Sequence, residues 1–361
     1  MFKFVLFFIL IVHGLIHLLG FVKAFGLADV SQLTQNISKP AGVSWLIATL
    51  LFVATGIVFL LGKEWWWMIA IPALVLSQLL IVMSWQDAKF GTIANAIITM
   101  AAVASFGSTH FENSFRTDVD ENLKRTRTQS EEVLTEEDLR PLPETVQRYL
   151  RYAGVVNKPK VRNARIVFEG QMRSKGKGFF PFASVQYNFF DEPTRLFFMK
   201  GRMFGVTVPG YHKYTRGTAT MDIRLFGLYS IVKQSGEILD KTETVTLFND
   251  MCLMAPATLI DKRIQWEGID GTKTKAKFTN QGITISAILF FTEQGQLVDF
   301  VSEDRTEIND MKRYPFYTPV SDYKNINGIN VMTYGETIYE YPDGKFTYGT
   351  FVLKSIEYNC N

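Results

Sequence analysis

Apolar residues fill the first hundred or so positions almost without interruption, and a shorter alternation of apolar and polar residues then runs to position 361. The continuous part falls into four runs, at 4–25, 43–61, 65–85 and 91–107. Each approaches the ~20 residues a helix needs to cross about 30 Å of hydrocarbon, so the pattern predicts a four-span membrane bundle. The first run follows Lys3, as a secretory leader would, but it is too long, and no small-x-small cleavage site follows at 21–25. It reads as a retained span. Gly14 and Gly20 permit close helix approach within it. Turns are expected at 62–64 and 85–90, and Trp65, Trp66 and Trp67 read as an aromatic anchor at headgroup level. Thr92, Asn95, Thr99 and Ser105 dilute the fourth span.

The second part opens on a charged stretch, 112–132, read as a partly helical linker. A helix start with acids in its first turn follows at 135–138, and 142–152 carries Leu142, Val146, Tyr149 and Leu150 on one side, ended by Gly154. From 161 onward the period is two. Strands are predicted at 162–172, 184–190, 195–204, 206–214, 219–226, 265–269, 274–279, 283–292, 297–307, 329–341 and 346–358. Tight turns such as Asn327-Gly328 and Asp343-Gly344 join neighbours directly, which makes the sheet largely antiparallel. One helical passage interrupts it at 237–261, kinked or restarted at Pro256.

The pattern therefore predicts an α-helical four-span membrane bundle at 1–110, a linker at 111–134 and an α+β domain at 135–361. That domain is a large curved antiparallel sheet, a half-barrel, with one or two covering helices. Several strands are apolar on both faces, as at 196–199 and 288–291. One face needs the helices or a ligand. An apolar cavity for an acyl chain would be lined by Phe197, Met199, Leu289 and Phe291 from strands and by Phe248 and Cys252 from the helical passage. A solid core of the same residues is the alternative.

Charge narrows the classes. A net +3 with no basic stripe among aromatics excludes a nucleic-acid partner. Four spans put both ends on one side, with Lys3, Lys63, Arg116 and, a little further on, Lys124, Arg125 and Arg127 there and Lys23, Lys39 and Lys89 opposite. The positive-inside rule thus leans to a cytoplasmic sheet domain on a plasma-membrane protein. Cys252 and Cys360 stand far apart in no metal spacing, compatible with a disulfide or with a buried thiol at each.

His13 and His17 are four apart on one face of the first span, and ionisable residues at membrane depth are functional candidates. They read either as a haem or metal ligand pair or as neutral imidazoles bonded to neighbouring helices through Asn95 or Gln78. Asn95 and Thr92, with Asp87 near them, either line a polar pocket or bond between helices. In the sheet, His212 is a base only with Asp222 or Glu243 to orient it, and Glu303, Asp304, Arg305 and Glu307 read as a solvated strand face. His110 sits where span four meets water. No phosphate loop, zinc helix or nucleophile elbow is present.

The order of elements, a leading helix, strands, a helical insert with a central Pro and then long hairpins, resembles the half-barrel of the bacterial lipoprotein-carrier families of LolA and LolB type. The segments 266–270, 282–285 and 290–295, with Leu142-Pro143-Glu144 and Arg148-Tyr149-Leu150, are similar to an uncharacterised bacterial domain family. His13-Gly14 and 17–21 are similar to four-span DoxX-like membrane proteins. The resemblance implies hydrophobic-ligand binding over residues 135–360 and supplies no catalytic residues. Three functions follow: a membrane protein binding a lipid-like or other hydrophobic small molecule, a redox or cofactor-binding bundle on His13 and His17, and a non-catalytic assembly or sensing module.

Overall fold

The computed structural model describes residues 2–128, 132–203 and 206–361. Phe204, the expected end of one strand, and 129–131 of the expected linker lie outside them. The chain separates into two compact units, Met1–Asn113 with Phe226–Tyr229, and Ser114–Leu225 with Ser230–Asn361.

The first unit holds α1 (Phe2–Ala24), α2 (Lys39–Leu60), α3 (Trp66–Met83), the single turn α4 (Trp85–Ala88) and the start of α5 (Gly91–Arg127). Four of these, α1, α2, α3 and α5, are long and apolar enough to cross a membrane. Small residues bring them together: Gly14 lies against Phe52, and Gly20 lies under the Trp45 indole. Large apolar side chains such as Phe4, Leu50, Val75 and Met100 point outward, as lipid-facing surfaces do. The interior holds Leu10, Phe52, Ala70, Ala73 and Ile98.

The helical part of the expected linker continues α5, which stays helical to Arg127. The single turn α6 (Glu136–Leu139) carries the expected acidic start, and α7 (Glu144–Ala153) ends at Gly154 in the left-handed region. Six strands then form a meander: β1 (Asn163–Met172), β2 (Phe180–Phe189), β3 (Thr194–Met203), β4 (Val206–Thr215), β5 (Thr218–Leu225) and β6 (Tyr229–Ser235). Helix α8 (Glu237–Met254) and a 3-10 turn at Pro256–Ile260 follow, broken at Pro256 as the sequence predicts. The chain returns through β7 (Ile264–Asp270), β8 (Lys273–Asn280), β9 (Ile283–Phe291) and β10 (Leu297–Ser302). Short pieces come next: β11 (Thr306–Glu307), β12 (Lys312–Arg313), β13 (Phe316–Tyr317), β14 (Val320–Ser321), β15 (Lys324–Ile326) and β16 (Ile329–Val331). The long hairpin β17 (Tyr334–Tyr341) and β18 (Gly344–Tyr358) ends the domain.

Among the described residues one 14-stranded sheet runs β6-β5-β4-β3-β2-β1-β18-β17-β13-β10-β9-β8-β7, with β14 on β17. All its described pairings are antiparallel, and β1 joins β18 at the middle, Ala164 opposite Tyr358. The sheet is not closed. Its free edges, β6 and β7, are the two strands that α8 connects. The connector therefore has to cross a face of the sheet, and it takes the concave one, packing on β4, β5, β9 and β10. The sheet curls around it far enough that Asn280 on β8 bonds Tyr214 on β4.

Candidate functional site

The concave face is built by the inward members of each strand. On β3 these are Arg195, Phe197 and Met199; on β2, Ser184, Gln186 and Asn188; on β4, His212 and Tyr214. The intervening Phe198 and Tyr211 point the other way and meet Phe115 of α5, at ring separations of 5.4 and 5.5 Å. Asp118, one turn on, takes the Tyr211 hydroxyl at 2.7 Å and Lys213 at 2.6 Å. So β3 is apolar on both faces because one helix covers each, a distribution that needs no ligand. The excess of greasy residues in this strand comes from the helix read as linker.

Helix α8 is buried on almost every side. Phe248 stacks on Phe278 at 5.2 Å and meets the edge of Phe300 at 5.9 Å. Tyr149 from α7 donates its hydroxyl to the Cys252 carbonyl at 2.8 Å, and Tyr358 donates to that of Met254 at 2.6 Å. The six residues expected to line a hollow, Phe197, Met199, Phe248, Cys252, Leu289 and Phe291, all lie buried in one core cluster.

A charged stripe runs through this apolar interface. Arg195 donates from Nε to Asp250 at 2.8 Å, and from its terminal nitrogens to Glu243 at 3.1 Å and to Gln186 at 3.0 Å. Gln186 and Asn188 donate amide hydrogens to the same Asp250 oxygen at 2.7 and 3.2 Å. His212 approaches Glu243 at 3.7 Å, while the other expected partner, Asp222, is occupied by Arg224 and Ser230. Burial works to raise the Glu243 carboxyl, but the adjoining His212 and the Arg195 charge outweigh it and hold the group at about 2. For Asp250 burial wins and the pKa is raised. Arg305, expected on a solvated face, instead lies over the Phe316 ring at 4.3 Å and donates to Tyr339 at 3.1 Å. The stripe's acids, base and amides are bonded to one another across the α8–sheet interface, so it fits a registering contact between the two.

Hollows open on the second unit, and two of them bear on the site. One, of about 530 Å³, lies where β6 turns into α8 and includes Gly236, Ile238, Leu239, Thr242, Ile308 and Met311 in its lining. Its size falls within the ~300–1,000 Å³ of small-molecule sites. Gly236 supplies the turn there with φ of 104°, which a side chain would strain. The other, of about 520 Å³, has the polar groups of Arg165, Tyr187 and Glu357 in its wall. None of the six expected cavity residues lines either hollow. Cys252 is buried and Cys360 partly exposed, and both are free thiols.

In the first unit His13 and His17 are both buried, with rings 4.7 Å apart, edge to face. His13 Nε2 is 2.9 Å from Asn95 Oδ1 and 3.3 Å from Ser77 Oγ. Asn95 in turn donates to Gln78 at 3.0 Å, and Gln78 to Thr92 at 3.3 Å. These side chains bond between helices. Asp87 takes no part, and caps the Thr34–Gln35 loop instead. His17 Nδ1 donates to the His13 carbonyl at 2.8 Å, so the uncharged form of the ring carries its lone pair on Nε2. That Nε2 is buried and has no hydrogen-bond partner among the described residues. No group of three or more His, Cys, Asp or Glu that could hold a metal occurs among the described residues.

No curated protein matches the chain. Among solved structures it is similar to a putative outer membrane lipoprotein-sorting protein domain from Vibrio parahaemolyticus, at 7% identity and a TM-score of 0.35, over 54% of this chain and 85% of that one. It is also similar to a LolA superfamily protein from Nitrosomonas europaea, at 8% identity and a TM-score of 0.36, over 60% and 94%. No fold argument and no functional residue is transferred from either. The expected DoxX-like kinship of the helices finds no support. The sheet domain, over residues 132–351, matches DUF6544, and the chain is thus a member of that family of unknown function.

Proposed function

We propose that this chain is a multi-pass membrane protein whose sheet domain takes up a lipid-like or other apolar molecule, with α8 as the movable cover of the concave face. The observation that carries this reading is the hollow at the β6–α8 corner, part-lined by Ile238, Leu239, Ile308 and Met311 and continuous with the first turn of the covering helix. An apolar ligand entering there would displace α8 from Phe197, Met199, Leu289 and Phe291 and take over their burial; Phe248 and Cys252 would move with the helix. The distribution of Lys and Arg among the spans supports a plasma-membrane location with this domain on the cytoplasmic side.

The test is native mass spectrometry of the full-length protein extracted in mild detergent, followed by uptake of a fluorescent fatty acid from vesicles. Co-purified lipid is expected, with loss of uptake in Ile308→Trp and Met311→Trp, which fill the hollow. Absence of lipid and of uptake in the unaltered chain overturns the reading.

A second reading rests on the unpartnered Nε2 of His17. A buried lone pair at membrane depth is costly unless something binds it, so the bundle would hold a cofactor there, with His13 as neighbour. A Soret band lost in His17→Ala supports it. Protein that is colourless and metal-free removes it, and failure of both tests leaves an anchored assembly or sensing module.

A further inference from the structure

The turn between β5 and β6, Phe226–Tyr229, belongs to the compact unit of the four membrane helices. Its place there depends on two glycines. A methyl group on Gly227 would fall 2.4 Å from the Gly107 carbonyl carbon and from the Ser108 nitrogen, and one on Gly107 would fall 2.6 Å from the Phe226 carbonyl oxygen. Backbone thus lies on backbone at the end of span four, a closeness that only the absence of a Cβ allows. Gly227 also has φ of 69°.

The level of this contact along the helices is marked by aromatic rings. Trp67, from the Trp65–Trp67 run at the start of α3, meets Phe106 edge-on at 5.0 Å, and His110 stacks on the same Phe106 at 5.9 Å. Trp clusters with a neighbouring histidine at the end of an apolar span are the composition of the headgroup layer. Gly107 adjoins Phe106, so the turn sits at this level. Its side chains are unsuited to water: Phe226, Leu228 and Tyr229 are 40%, 44% and 77% exposed. An apolar tip ending in a tyrosine is the make-up of a segment with one end in acyl chains and the other among headgroups.

We propose that the Phe226–Tyr229 turn is a second membrane contact, dipped into the boundary between headgroups and acyl chains beside the end of span four. The occupant of this surface is lipid. The surface is continuous with the outward face of α5, where Val103 and Phe106 are also exposed.

The test uses full-length Tyr229→Cys carrying an environment-sensitive fluorophore, in a Cys360→Ser background, reconstituted into phosphatidylcholine–phosphatidylglycerol vesicles. A label at Gly176→Cys, on an open turn, is the reference. Expected are a blue-shifted emission at position 229, its loss with lipid spin-labelled near the headgroup, and protection from aqueous iodide. Gly227→Val, which cannot approach Gly107, should return the label to water-like emission while the reference stays unchanged. Emission, iodide quenching and lipid quenching at 229 equal to the reference overturn the proposal. So does a lipid-quenched label that Gly227→Val leaves in place, because the glycine contact would then not be what seats the turn.

Discussion

Asn280 donates its side-chain amide to the Tyr214 hydroxyl at 2.8 Å, although their strands, β8 and β4, belong to opposite wings of the sheet. Tyr214 also bonds Thr244 of α8 at 2.8 Å, so the two wings and the helix meet at one hydroxyl. Both side chains are buried. Tyr214→Phe and Asn280→Leu should each destabilise the full chain by about 1–3 kcal/mol, since each leaves a buried partner unsatisfied. The double variant should lose less than the sum of the two. Denaturant unfolding in detergent of the four proteins of the cycle measures this.

Arg195 balances two buried carboxylates at once. Arg195→Ala strands both and should cost about 3–5 kcal/mol, whereas joint replacement of Arg195, Glu243 and Asp250 by methionine should be near neutral. If the stripe registers α8 on the sheet, the triple variant should also show faster hydrogen exchange across 237–254 at unchanged melting temperature.

Asp299 offers a pH test. Burial raises its carboxyl to about 6 despite hydrogen bonds from the backbone N–H groups of Phe300 and Thr318, at 2.8 and 3.0 Å. The folded chain therefore binds this proton more tightly than the unfolded chain, where Asp titrates near 4. The group subtracts stability above about pH 6, and that loss is relieved as pH falls to about 4. Asp299→Asn should raise the unfolding temperature at about pH 8, with the gain closing by about pH 4. Glu243 acts in the opposite sense: its depressed value means a contribution held above about pH 4.5 and lost as pH falls towards 2.

His13 and Asn95 bond between α1 and α5 at 2.9 Å. Pairs of this kind within membranes contribute about 0.6 kcal/mol on average and rarely above ~1.7. Asn95→Leu should lower the melting temperature of the extracted protein by a few degrees at most. A collapse on this one change would mean that the cluster holds something more than itself.

The four spans, the period-two strands and the break at Pro256 were legible because each rests on a local pattern. The outer cover of β3 was not. Its signal is thin: Phe115 and Val119, four apart and both buried, are nearly the whole apolar face of a stretch otherwise rich in charge. Without that face the aromatics of β3 look surplus, and surplus suggests a hollow. Strand β6 escaped because an exposed edge carries little alternation, and the pieces β12 to β15 are two or three residues long, too short for any period. Nor could spacing reveal that Arg195 meets Asp250, since their meeting depends on where α8 crosses the sheet.

The central pairing of β1 with β18 sets the order in which this domain can be completed on the ribosome. The first strand made after α7 must wait for the last before its second neighbour exists. Until then the nascent meander presents a bare edge and an uncovered greasy trough, and closing so distant a pair is slow. Early chain arrest or truncation within β18 should therefore leave an aggregation-prone or protease-sensitive product, and a chaperone acting on this protein would be needed late in synthesis.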